Sequence, residues 1–161
     1  MNYAHFEADL HGTIVPQAVC TPSGSAPYPK FDNIMFKEVH RFGINLQAAL
    51  NGYSHLIPDG DTRPTTTTTS TKIKIRIQWP GYPEFWKDIN AKEHTRAGDP
   101  IPKWKLALCV AQVVASFYSK FMCSGYIGDW AVERIPFQSL KLLELRQVST
   151  GSWQPVLVYE H

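Results

Sequence analysis

The chain has 161 residues, 43% of them hydrophobic and 19% charged, enough to bury the core of one domain without disulfides or a structural metal. Its 12% aromatic content and its sixteen Lys and Arg against fourteen Asp and Glu exclude a disordered polyelectrolyte and a dedicated, strongly basic nucleic-acid scaffold. The charge is uneven: residues 1–60 carry three basic against five acidic side chains, residues 61–120 ten against five, and residues 121–161 three against four, so the middle third favours an acidic partner.

No apolar run reaches the ~20 residues of a membrane span, because Lys105, Gln112 and Lys120 interrupt the best one. No membrane partner is expected. The first nine residues have neither the basic nor the apolar region of a signal peptide, which points to an intracellular protein, in the cytoplasm or nucleus. Cys20, Cys109 and Cys123 are odd in number and lack C-x-x-C spacing, so they read as free thiols.

Residues 3–11 alternate, with Ala4, Phe6, Ala8 and Leu10 on one face of a half-buried strand and His5, Glu7, Asp9 and His11 on the other. Residues two apart share a face with Cα atoms about 6.6 Å apart, so these four polar residues are candidate metal ligands. A solvated strand face explains the same pattern. Residues 16–30, rich in Pro, Ser and Gly, are expected to form a mobile loop.

Residues 32–58 fit either a helix ended by Asn51-Gly52 or a hairpin turning there. Strands are preferred, since Gly43 inside a helix would cost ~1 kcal/mol and Tyr53, His55 and Ile57 resume the alternation. Residues 59–71, a turn followed by a threonine tract, form the second expected mobile loop, with an extended continuation of the next strand, which β-branched threonine suits, as the alternative.

Lys72 to Trp79 is the strongest strand, with Ile73, Ile75, Ile77 and Trp79 inward and Lys72, Lys74, Arg76 and Gln78 outward. Trp79-Pro80-Gly81-Tyr82-Pro83 must turn, and Pro83 is expected to open a short helix carrying Phe85, Trp86 and Ile89. The basic strand face and the aromatics Tyr82 and Trp86 are the candidate partner-binding residues, because lysines and arginine can hold phosphates or acidic side chains while aromatic rings stack on bases. Lysines on an exposed strand also deter aggregation, which is a sufficient structural reason for them.

Asp99 to Phe121 reads as the long central helix, with Asp99 as N-cap and Pro100 at the first helical position. Its apolar residues, Leu108 among them, cover most of the circumference, which predicts a helix enclosed except for a stripe of Lys105, Gln112, Ser116 and Lys120. A glycine-containing loop follows. Leu140–Val148, a turn at 149–152 and Trp153–Tyr159 then make a hairpin with an interior first arm.

The sequences Trp-Pro-Gly-Tyr-Pro, Leu-Ala-Leu-Cys-Val-Ala and Ser-Thr-Gly-Ser-Trp-Gln-Pro together resemble uncharacterised proteins of mushroom-forming fungi over residues 72–157. The resemblance implies an intracellular fungal protein and brings no activity or site.

G-x-S-x-G, P-loop, H-E-x-x-H and G-x-G-x-x-G patterns are absent. The whole chain is expected to be one α+β domain, an antiparallel sheet of about five to seven strands packed around one long central helix. The preferred function is a non-catalytic binding module for a macromolecule, a protein or single-stranded nucleic acid, needing no cofactor. The alternative is a small enzyme with a pocket between helix and sheet, metal-dependent through His5, Glu7, Asp9 and His11.

Overall fold

The computed structural model describes residues 12–20, 28–68, 70–94 and 98–161. Among them the chain forms an α+β fold: strands β1 (Thr13–Ile14), β2 (Ile34–Met35), β3 (Ile44–Asn45), β4 (Lys72–Ile77), β5 (Phe85–Asn90), β6 (Leu140–Ser149) and β7 (Ser152–Tyr159), and helices α1 (Leu46–Leu50) and α2 (Lys103–Phe121). The strands make one open sheet in the order β2-β6-β7-β4-β5, with β3 sharing the outer edge of β6 and β1 pairing with the end of β7.

The sheet is mixed rather than antiparallel, because β4 runs parallel to β7, with Lys74 opposite Ser152 and Ile75 opposite Trp153. A tight turn can join only antiparallel neighbours, as it does within β4–β5 and β6–β7. The two hairpins are linked through α2, and that longer connection leaves their relative direction free.

One face of the sheet carries Ile73, Ile75, Ile77, Leu142, Leu145, Trp153 and Leu157, all buried in a single core with α2. Leu106, Ala107, Val110, Ala111, Val114 and Phe117 of α2 fill it, and Phe117 packs 5.5 Å from Trp79 and 5.8 Å from Phe85 between ring centroids. The water side of α2 is broader than one polar stripe, since Leu108 and Cys109 are also half-exposed there.

The helix starts at Lys103, not at Asp99. A residue before proline is driven to extended backbone, and both Asp99 and Ile101 precede one, so the helix begins only once Pro102 is passed. Its free N–H groups are capped by a neighbouring turn: Lys103 donates to the Thr62 carbonyl at 2.8 Å and Trp104 to the Gly60 carbonyl at 3.0 Å.

Two local expectations are corrected. After the two-residue strand β3, residues 46–50 are helical rather than a hairpin arm. Asn45 Oδ1 caps the Ala48 N–H at 3.0 Å, and Asn51-Gly52 ends the helix, with Gly52 at φ +78°. Residues 85–90 are a strand rather than a short helix. Phe85 and Ile89 lie four apart, a spacing that fits both periods, and pairing with β4 decides for the strand.

The threonine tract crosses the inner face beside Trp153: Thr66 is buried and its carbonyl accepts from Trp153 Nε1 at 3.2 Å. Among the described residues no helix is long and apolar enough to cross a membrane.

Candidate interaction surface

Strand alternation gives the opposite face of the sheet its chemistry. On β4 the isoleucines turn inward, so Lys72, Lys74 and Arg76 all point outward. Register then sets Asn90, Asp88 and Trp86 of β5 opposite them in that order, and Ser152 of β7 on the other side of Lys74.

Within this group Lys74 Nζ sits 3.7 Å from the centroid of the Trp86 ring, a cation–π contact across a diagonal pair. The Arg76 guanidinium pairs with Glu84 and also donates from Nε to Ser152 Oγ at 3.1 Å. Trp86 is 48% exposed, an unusual state for so large an apolar ring. Together with the 149–152 turn, the basic residues and Asp88 line a shallow polar trough of about 530 Å³.

The rest of the outer face is covered. Residues 15–20 follow β1 along β7 and fold across it, with Val15 N–H bonded to the Leu157 carbonyl at 2.9 Å and Gln17 Nε2 to the Pro155 carbonyl at 2.7 Å. Gln17 Oε1 accepts from the Gln78 N–H at 3.0 Å, bridging to the chain just after β4 where β4 has parted from β7. Beneath lie the buried Gln154, which donates to the Ala18 carbonyl at 2.8 Å, and the buried Glu144, which pairs with Arg146. Burial pushes the Glu144 carboxyl above its ordinary value.

Cys20 ends this covering segment. Burial, helped by the Glu84 carboxylate and opposed by Arg76, pushes its thiol up to about 11. Burial likewise raises the Cys109 thiol against the pull of Lys105. Both thiols are therefore protonated at neutral pH and poor nucleophiles.

The structure brings Lys72, Lys74, Arg76 and Trp86 onto one face and leaves Tyr82 apart from them. Tyr82 sits at the end of the β4–β5 hairpin, its ring 5.5 Å from Phe117, 5.2 Å from Phe121 and 5.0 Å from Tyr126, and its hydroxyl accepts from the Val132 N–H at 3.0 Å. Its ring holds α2 and the 122–132 loop together. His5, Glu7, Asp9 and His11 lie outside the described residues. Among the described residues no three His, Cys, Asp or Glu side chains are placed to share a metal ion.

Two parts of the surface were missed in the sequence. The helix expected over residues 85–89 hides Lys87 and the outer edge of β5, although the spacing of Phe85 and Ile89 also fits a strand. The second is an apolar patch after α2, where Met122 and Tyr126 are exposed and Ile127 is 87% exposed. Comparison with family models, curated proteins and solved structures finds no match for this chain.

Proposed function

We propose that this domain is a non-catalytic intracellular module that binds an acidic segment of another protein through the exposed side of the β4–β5 hairpin. The observation that carries the reading is the exposed Trp86 set among Lys72, Lys74 and Arg76 on the part of the sheet that none of the described residues covers. Tryptophan and arginine are the residues most enriched at the energetic centres of protein interfaces.

Single-stranded nucleic acid is less well served by the same groups. Lys74 already occupies one face of Trp86, and Tyr82 is packed against Phe117, Phe121 and Tyr126, so a single half-covered ring is left to stack on bases.

The test is titration of labelled polyglutamate, single-stranded DNA and single-stranded RNA at several salt concentrations. Polyglutamate should bind at low salt, and Lys72→Glu combined with Lys74→Glu should abolish that binding without lowering the unfolding midpoint. Binding confined to the nucleic acids would move the reading to a strand-binding protein. Binding to none of the three would overturn it.

A further inference from the structure

The hydrogen-bond phase of β5 decides which of its backbone groups are free. Ala91 donates to the Thr71 carbonyl at 2.8 Å, and the register continues with Ile89 opposite Ile73, Lys87 opposite Ile75 and Phe85 opposite Ile77. Bonded and non-bonded positions alternate along an antiparallel pair, so residues 85, 87, 89 and 91 direct their N–H and C=O groups to β4. Trp86, Asp88 and Asn90 direct theirs the other way.

That other side is the edge of the sheet. Residues 99–101 do not cover it: Ile101 donates to the Ala91 carbonyl at 3.1 Å, which places them on the β4 side as its continuation. Among the described residues nothing pairs with the outer edge. An open strand edge is a template for another strand, and the side chains around it decide which strands it admits.

A chain added here would turn alternate side chains to the two faces of the sheet. On the helix side it meets Lys87 and also Lys120, whose Nζ lies 5.7 Å from the Phe85 ring centroid and 5.4 Å from that of Phe121. On the outer side it meets Trp86 with Lys74 behind it. Lys74, Lys87 and Lys120 form no ion pair among the described residues. A second copy docking about the middle of β5 would set Asp88 opposite Asp88 or Lys87 opposite Lys87, and like charges directly opposite are destabilising.

We propose that the outer edge of β5 is a docking strand that takes an extended acidic peptide of a partner protein, with carboxylates at alternate positions facing Lys87 and Lys120 and an apolar side chain against Trp86. The proposal rests on the protein-binding reading and adds its mode and the chemistry of the recognised segment. The lysines that turn away neutral strands are the ones that admit an acidic strand.

The test uses a fluorescent peptide of alternating glutamate and valine, the same peptide N-methylated at alternate amides, and an alternating lysine and valine control, read by anisotropy. The acidic peptide should bind, the N-methylated form about tenfold or more weakly because it loses several backbone bonds, and the lysine form not at all. Asp88→Pro should abolish binding and leave the unfolding midpoint in place, since the N–H it removes is not used by β4. In hydrogen exchange, peptide should protect the amides of residues 86, 88 and 90.

Equal affinity for the acidic and N-methylated peptides, with no new amide protection, would overturn the docking strand while leaving the acidic-partner reading intact. Self-association of the free protein that Asp88→Pro removes would make a second copy the occupant and also overturn it. Failure of the acidic peptide together with polyglutamate would remove both readings.

Discussion

The two long hairpins of the sheet, β6–β7 and β4–β5, are built alike and buried differently. In β6–β7 nearly every residue of both strands is buried or half-buried, on both faces, and each strand has neighbours on both edges. In β4–β5 the isoleucines, Phe85 and Ile89 are just as buried, but Lys72, Trp86, Lys87, Asp88 and Asn90 are exposed, and among the described residues β5 has a neighbour on one edge only. A hairpin covered on both faces can contribute only stability. One covered on a single face retains side chains and backbone groups that an outside molecule can reach. The following substitutions break or sharpen that contrast.

The largest effect is expected where helix and sheet meet. Leu106 of α2 is 1% exposed, so Leu106→Asp puts an unpaired carboxylate in the core and should abolish cooperative unfolding, its cost rivalling the ~5–15 kcal/mol that holds a domain together. Leu108→Asp, two residues on and facing water, should leave a folded protein with a lowered midpoint in urea.

The two tryptophans give the direct comparison of the hairpins. Trp153 of β7 is fully buried, stacks on Phe31 at 6.3 Å and bonds through Nε1 to Thr66, so Trp153→Ala should cost ~3–5 kcal/mol in a urea titration. Trp86→Ala loses only a half-exposed ring and one cation–π contact, and should cost about 1 kcal/mol or less while removing peptide binding. Comparable destabilisation by both would erase the distinction between a structural hairpin and a reachable one.

Much of this contrast was legible in the sequence because it rests on period. The alternation of 72–79 placed the isoleucines inside and the basic residues outside, and 140–159 read as a hairpin with an interior first arm, since Leu140, Leu142, Leu143 and Leu145 are apolar on both faces. What failed has a common cause: short segments whose spacing satisfies two periods are decided by tertiary pairing. Phe85 and Ile89 fit a helix until β4 claims them. Leu46 and Leu50 fit a strand until Asn45 caps a turn of helix. Apolar residues all round α2 predict a buried Leu108, but the helix is enclosed only where the sheet and α1 pack against it, which leaves Leu108 half-exposed. The parallel pairing of β4 with β7 left no mark, because no local residue encodes the direction of a strand whose partner lies across a helical connection. Of the candidate surface, the basic residues were visible and the free edge of β5 was not, since an edge is defined by which strand is absent beside it.

The turns sharpen the comparison at a smaller scale. Gly151 in β6–β7 and Gly81 in β4–β5 both have positive φ, +76° and +85°. A Cβ at Gly151 meets nothing within 4 Å, so Gly151→Ala should cost only the left-handed penalty of ~1–2 kcal/mol. A Cβ at Gly81 would lie 2.2 Å from the Tyr126 ring, which rests against Tyr82, so Gly81→Ala should cost measurably more in a urea titration. Equal costs would mean that the 122–132 loop does not brace the β4–β5 hairpin.

The smallest effect concerns how the chain leaves that hairpin. Glu93, just after β5, lies 3.4 Å from Arg63 and 3.3 Å from Lys105 of α2. Burial pushes its carboxyl up, but Lys105 and Arg63 together outweigh that and hold it below the ordinary carboxylate value. A carboxyl whose folded pKa is depressed binds fewer protons folded than unfolded, so it contributes stability at pH values above the unfolded carboxylate value and loses it as pH falls through the folded one. Glu93→Gln should therefore unfold slightly earlier than the parent in urea at neutral pH, and the gap should close on acidification through the carboxylate range. Added salt should narrow it as well, because the pair is screened. A gap that held constant from acid to neutral pH would mean that Glu93 acts through packing, and that the exit from β5 owes nothing to its two cations.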